Sequence, residues 1–251
     1  MAIRSASSPD GYPAPVVLER TDQTPADQTP AHHTPAHEAP AGGPWTAPEG
    51  TAALVFDCDG TLADTMPTHY RAWVAMLADH GLVFPEPQFY ALGGMPTEGI
   101  IRLLALEQGV PVHDVTAMSH DKERRYLAMI DHVKAHPSVL DIAARYRGVL
   151  PLGVGSGGER WIIDRTLTAI GAADWFDAIV GADDTERHKP EPDVFLEVAR
   201  RLSVPPASCV VFEDTDLGLE AARRAGMLGV DVRPLIAAEG GHAPAAAAPA
   251  P

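Results

Sequence analysis

The sequence predicts an α/β protein built on a parallel sheet, with an all-helical domain inserted after the first strand. Three observations carry that prediction. Short continuous apolar runs recur along the chain: "AALVFD" (52–57), "PLGVGS" (151–156), "DAIVGA" (177–182), "SCVVFED" (208–214) and "LGVDV" (228–232). Strands that are apolar on both sides, with helices between them, belong to a parallel sheet covered on both faces. Amphipathic helical patterns fill the later intervals: "ERWIIDRTLTAIG" (159–171), "PDVFLEVARRLS" (192–203) and "DLGLEAARRAG" (216–226). The first and last of these end on Gly, a helix stop. Residues 67–135 hold no strand pattern, only helical stretches such as "THYRAWVAMLADHG" and "HDKERRYLAMIDHV". A βαβ crossover needs only about a dozen residues, so an interval of that length is an inserted domain. Placed there, it sits above the carboxyl ends of the strands, where open α/β folds bind ligands.

The ends of the chain have a different character. Residues 1–50 contain the degenerate repeat "DQTPADQTPAHHTPAHEAPAGGP", with almost no aromatic or β-branched aliphatic side chains. Such a segment cannot bury enough surface to offset the entropy of ordering it, and it reads as a disordered leader. His32, His33 and His37 fall in this repeat, where no functional metal site is expected. Residues 237–251, "AAEGGHAPAAAAPAP", read as a disordered tail. The folded unit is therefore expected from Thr51 to Ile236, with a core of residues 51–66 and 136–236 and a helical cap of residues 67–135.

Composition narrows the function. The 251 residues carry a net charge of -15, with 34 acidic residues against 19 Lys and Arg. Nucleic acid and anionic membrane surfaces both require a basic footprint, so neither is expected as a partner. A small anionic substrate stays compatible, because a few local cations can hold a phosphate. The two cysteines, Cys58 and Cys209, form no CxxC spacing, and each sits in or beside an apolar run, as small buried thiols do. No apolar stretch reaches the length of a membrane span and no signal-peptide segment is evident, so a cytoplasmic protein, and a monomer, is expected.

The chemistry starts at "LVFDCDGTLADT" (54–65), which ends the first apolar run on Asp57 and Asp59. At i and i+2 in an extended segment, both carboxylates point to one face and Cys58 to the other. Two carboxylates so close cannot both stay ionised without a cation, and oxygen-only ligands favour a hard ion such as Mg²⁺. An EF-hand loop does not fit, because its glycine belongs at position 6 and Gly60 is at position 4. An aspartic protease would need Asp-Thr-Gly order and a second copy. A glycosyltransferase-like DxD metal site and an ordinary carboxylate loop both remain open on this segment alone.

The other strand ends add to it. "VGSGG" closes a strand with Ser156 and two glycines before a helix, a cradle for an anion at a helix N-terminus. "VVFEDT" closes another with Glu213 and Asp214. Between them lies "RHKPEPDVF", whose Lys189 is one of only three lysines in the chain, against sixteen arginines, and the only one after the cap. A compact ammonium reaches between anions where a guanidinium fork does not. In order, the strand ends supply D-x-D, Ser, Lys and E-D.

That ordered set resembles the haloacid dehalogenase superfamily, whose four motifs match "DCDGTLADT", "GSGG", "HKPEPD" and "VVFEDT". The likeness extends over residues 52–234. It implies a Rossmann-like parallel-sheet core with an inserted α-helical cap. "HYRAW" (69–73) and "FEDTDLGLEAARRAGM" look like the subclass of β-phosphoglucomutases and small sugar-phosphate phosphatases. By resemblance, Asp57 is the nucleophile that becomes transiently phosphorylated. Asp59, protonated in the ground state, is the general acid and base. Mg²⁺ is held by the Asp57 carboxylate, the Asp59 carbonyl, Asp214 and, directly or through water, Glu213. Ser156, the Gly157 amide and Lys189 hold the phosphoryl oxygens, with Gly60 turning the chain beside them. His69 matches a subclass histidine that hydrogen-bonds near Asp59 on closure. The superfamily's dehalogenases lack the second aspartate, so Asp59 implies phosphoryl transfer.

The cap separates two outcomes. A β-phosphoglucomutase grips a second phosphate with a cap arginine and with a lysine ahead of a Met-Ile pair. Here Thr97 and Ala128 occupy those places, with Arg102 one turn from the first. The loop "GGMPT" resembles that of the fructose-1-phosphate phosphatase branch. The resemblance therefore implies a phosphatase for a small sugar phosphate such as fructose 1-phosphate, with Thr97 at the substrate, and a mutase as the alternative.

Overall fold

The structure, a computed structural model, describes residues 44–239. The expectations for the leader up to residue 43, its three histidines, and the tail from residue 240 lie outside the described residues. Five strands form one sheet: β1 (Ala53–Phe56), β2 (Leu152–Gly155), β3 (Ala178–Val180), β4 (Cys209–Glu213) and β5 (Leu228–Asp231). Their order is β3-β2-β1-β4-β5 and every pairing is parallel. Each strand is one of the five apolar runs. β1 lies in the middle, with Leu54 opposite Leu152 on one side and Val210 on the other. The chain winds outward through β2 and β3, then reverses through β4 and β5. The crevice outside the strand ends at such a reversal is where α/β sheets place their ligands.

After β1 comes a run of helices with no strand between them: α1 (Met66–Ala78), α2 (Glu86–Ala91), α3 (Thr97–Gln108) and α4 (Val115–Leu127), then a short 3-10 turn at Ile130–His132. These helices bury their own apolar cluster, which includes Trp73, Leu77, Phe84, Phe89, Ile101 and Leu104. α4 packs on both α1 and α3. Two connections join this cap to the core, and they pair with each other. The Asp64 amide donates to the Lys134 carbonyl at 2.8 Å, and the His136 amide donates to the Leu62 carbonyl at 2.9 Å. Entry and exit therefore lie side by side, as one hinge.

The remaining helices cover the sheet: α5 (Pro137–Tyr146), α6 (Arg160–Ala169), α7 (Asp193–Leu202), α8 (Asp216–Arg224) and α9 (Arg233–Ala238). The period-2 alternation of β1 sends Leu54, Phe56 and Cys58 into the layer with Val139, Ile163 and Ile236. Ala53 and Val55 go to the opposite layer, with Phe195, Val198 and Ala221. Phe56 and Phe212 stack across the β1–β4 pair with ring centroids 4.7 Å apart. Gly153 lets α7 approach β2, since a Cβ there would run into Val198. Gly171 and Gly226, just past α6 and α8, have φ of +74° and +71°, the left-handed stops read from the sequence.

The folded unit begins earlier than the expected Thr51. Trp45 is buried at 5% exposure, packs its ring 4.8 Å from that of Phe212, and hands its carbonyl to Arg145. The neighbouring Ala47 amide donates to the Tyr146 hydroxyl at 2.7 Å. A lone tryptophan at the end of a Pro/Ala-rich stretch has no periodic partners, so pattern reading misses it. At the other end α9 runs to Ala238, past the expected Ile236.

Candidate active site

Three central strands deliver carboxylates and an anion cradle to one edge. β1 is followed directly by Asp57, which is buried at 5% exposure. β4 ends on Glu213, with Asp214 next, at 0% and 1%. β2 leads to Ser156, buried at 2%, whose Oγ accepts from the Gly158 amide at 3.1 Å. The loop after β3 brings in Lys189, whose bond to Pro190 is cis. Residues far apart in the chain converge because their strands are neighbours in the order β2-β1-β4.

Lys189 organises the carboxylates. Its Nζ donates to Asp57 Oδ1 and Glu213 Oε2, each at 2.7 Å, and sits 4.9 Å from the ring centre of Phe195. Burial alone would push the ammonium toward its neutral form. The two carboxylates outweigh that and hold its pKa above the ordinary lysine value. Glu213 is saturated on its other oxygen, where Oε1 accepts from the Asp214 and Thr215 amides and the Thr215 hydroxyl. Gly218 must be glycine for this, because a Cβ would collide with the Glu213 carboxylate.

One lysine does not neutralise the site. Asp57, Glu213 and Asp214 bring one oxygen each within 4.8 Å of one another. Asp214 Oδ1 accepts from Thr61 at 2.8 Å, but its Oδ2 is buried without a hydrogen-bond partner among the described residues. Burial raises the pKa of Asp57 and Asp214 well above the carboxylate range, reinforced in both by the charge of Glu213. Buried, oxygen-only and short of positive charge, this set fits a hard divalent cation, which the orphaned Asp214 oxygen would meet. Gly60, at φ +88°, packs against the same carboxylate, where a Cβ would collide with it.

Asp59 differs from its neighbour. It is half-buried, and its Oδ1 faces His69 Nε2 at 3.2 Å. Burial would raise its pKa, but the hydrogen bond with His69 and the positive charge on the cap side, Lys122 included, prevail and lower it to about 2. The Asp59 expected to carry a proton is thus an anion as these residues stand, because the cap places a proton donor against it. His69 Nδ1 in turn lies 2.8 Å from Lys122 Nζ, and the imidazole stacks on Tyr126 with centroids 3.8 Å apart. Tyr126 shares a 2.8 Å hydrogen bond with Thr166 of α6, tying cap to core.

These elements line one pocket between cap and core, which holds Asp57, Asp59, His69, Thr97, Gly157 and Glu213. Ser156, Lys189 and Asp214 are buried next to these residues and do not themselves line it. Gly157 is pressed against the cap loop, where a Cβ would stand 2.5 Å from the Gly94 carbonyl oxygen. Thr97 reaches the pocket but turns its hydroxyl to Glu123 Oε1, 3.0 Å away. Arg102, the cation held in reserve for a second phosphate, is on the outer surface, paired with Glu98 at 2.9 Å. Of the charged residues that line the pocket, two are not among the site residues expected from the sequence, Lys122 and Glu123 of α4. The scarcity of lysine marks the first, and nothing in the sequence pattern marks the second.

Comparison with known proteins places this geometry. Residues 51–226 match the family model described as haloacid dehalogenase-like hydrolase. The chain is 42% identical over 183 residues to the fructose-1-phosphate phosphatase YqaB of Escherichia coli (strain K12), covering 72% of this chain and 96% of that protein. It is 27% identical to the beta-phosphoglucomutase of Bacillus subtilis (strain 168), covering 74% and 87%. Among solved structures, CbbY from Rhodobacter sphaeroides in complex with phosphate superposes with a TM-score of 0.65 at 28% identity, over 71% of this chain and 84% of that one.

Proposed function

The chain belongs to the haloacid dehalogenase-like hydrolases and is a phosphatase, and from that premise we propose that it is a Mg²⁺-dependent enzyme of the cytoplasm that hydrolyses a small sugar phosphate, of which fructose 1-phosphate is the leading candidate. The observation that carries the reading is the Asp57 carboxylate, clamped by Lys189 at 2.7 Å at the floor of a pocket whose upper wall is the cap. The likeness to the YqaB phosphatase supports the choice of sugar phosphate.

Asp57 is the nucleophile. Its free oxygen attacks phosphorus as the bond to the sugar oxygen breaks, which leaves the phosphoryl group on Asp57. Asp59 serves as acid and base. As the residues stand it is held ionised, but a phosphoryl dianion beside it favours its protonated form. It then passes that proton to the departing sugar oxygen and takes one from the water that hydrolyses the intermediate, help worth about 10²–10⁴-fold. Lys189, the Ser156 hydroxyl and the Gly157 amide hold the phosphoryl oxygens where charge develops. Asp57, Asp214 and the Asp59 carbonyl would hold Mg²⁺, with Glu213 contributing through a water, since its Oε1 already accepts three hydrogen bonds. When bound, the ion supplies charge neutralisation for the phosphoryl group and for the carboxylates around it.

The beta-phosphoglucomutase likeness keeps an isomerase as the second reading. The cap wall weighs against it. Thr97 is engaged with Glu123 and Arg102 faces outward, so neither offers a cation to a second phosphate. Incubating the enzyme with Mg²⁺ and a panel of sugar phosphates separates the two. The panel includes β-glucose 1-phosphate with a bisphosphate primer. Release of inorganic phosphate supports the phosphatase, and glucose 6-phosphate formation without it overturns that reading.

A further inference from the structure

Glu123 is buried at 5% exposure on α4, yet only one of its carboxylate oxygens is used. Oε1 accepts from Thr97 at 3.0 Å and from Lys122 at 2.9 Å. Oε2 is buried and has no hydrogen-bond partner among the described residues. A buried acceptor left unpaired carries its full desolvation penalty, which a donor arriving at it relieves. This one belongs to a side chain that lines the pocket above Asp57 and Asp59.

The surroundings show what it can recognise. The rest of the cap wall is largely apolar, with Trp73, Phe89, Leu92, Met95 and Ile100. Lys122 is not a free cation there, because its Nζ is shared between Glu123 Oε1 and His69 Nδ1 and lies 5.5 Å from the ring centre of Trp73. The Lys122 ammonium is turned to Oε1 and to His69, so the atom left over, Oε2, is the anionic end of the pair and has no cation of its own. A hydroxyl donor satisfies that atom. A second phosphate or a carboxylate meets a like charge with no cation to balance it.

We propose that Glu123 determines specificity: Oε2 accepts a hydrogen bond from a hydroxyl of the leaving group, and its charge rejects leaving groups that carry a second anion. This rests on the phosphatase reading above and names the substrates of that site, monophosphate esters of neutral polyols rather than bisphosphates or phosphorylated acids. A site built to hydrogen-bond a substrate hydroxyl discriminates strongly against analogues that lack it.

The test compares fructose 1-phosphate, fructose 1,6-bisphosphate and p-nitrophenyl phosphate on the full-length protein with Mg²⁺, in wild type and in Glu123→Gln. In the variant, the kcat/KM ratio of fructose 1-phosphate to p-nitrophenyl phosphate falls about tenfold or more, chiefly through KM. The ratio of fructose 1-phosphate to the bisphosphate falls about tenfold as well, a change that loose packing alone would not produce. Both ratios staying within about twofold of wild type would overturn the role of Glu123 and leave the phosphatase standing. No phosphate released from any ester by the wild type would overturn the phosphatase and this inference with it. If Glu123→Gln does not fold, Glu123→Asp retracts the oxygen but keeps the charge. It is expected to lower the first ratio with the bisphosphate still rejected, and an unchanged first ratio again overturns the assignment.

Discussion

Lys189 Nζ lies 2.7 Å from Asp57 Oδ1, across 132 residues of sequence, and both groups are almost wholly buried. The same ammonium spans to Glu213 at 2.7 Å. Removing it strands two buried carboxylates. Lys189→Met is therefore expected to destabilise the protein by about 3–5 kcal/mol, read by urea unfolding, and to abolish phosphate release. Lys189→Arg should not restore activity, since a planar fork does not reproduce a compact charge between two carboxylates. A melting curve unchanged in Lys189→Met would show that the pair does not support the fold.

Asp57→Asn is expected to reduce turnover to background while the melting temperature holds or rises. Burial and neighbouring negative charge raise the Asp57 pKa, so an amide of the same shape relieves the site rather than straining it. Activity near that of wild type would sink the nucleophile assignment.

Mg²⁺ is expected to raise the melting temperature and EDTA to lower it again. A ligand bound only by the folded state at about 100 times its Kd stabilises by about 2.7 kcal/mol. In Asp214→Asn that response should largely disappear, because the buried Oδ2 without a partner is the oxygen a cation would meet. An equal Mg²⁺ response in variant and wild type would place the ion elsewhere.

His136, beside the hinge, is buried at 4% exposure, and burial lowers its pKa below 6.5 despite the nearby Asp64 and Glu239. A histidine whose folded pKa is depressed costs nothing above its unfolded value. The cost begins as pH falls through 6.5 and is complete below the folded value. Wild type should accordingly lose stability faster than His136→Gln between about pH 7.5 and 5.5, measured as the difference in melting temperature at each pH. A constant difference across that range would contradict the depressed pKa.

Trp45 anchors the segment before β1 against Phe212 and Arg145. Trp45→Ala should cost about 3–5 kcal/mol, the range for truncating a large buried aromatic. Deleting residues 1–46 should cost a similar amount, and a deletion without effect would show that the packing adds nothing.

The sheet was legible because four of its five strands, β1 to β4, are buried on both faces. A run such as "SCVVFED" has few alternatives, and its carboxylates must fall at the strand end. The pocket's upper wall was not. Glu123 is an ordinary acidic residue in the helical stretch "HDKERRYL", and only the packing of α4 against α1 and α3 buries it and brings it to the pocket that Asp57 also lines. Asp59 shows the same division. Its place beside Asp57 follows from two-residue spacing, but its ionisation depends on His69, ten residues away on a helix that the cap must first position. Local periodicity determined what each segment becomes and which groups reach the sheet edge. The charge state and partners of those groups were decided by tertiary packing, because burial and Coulomb interactions depend on distance in space and not along the chain.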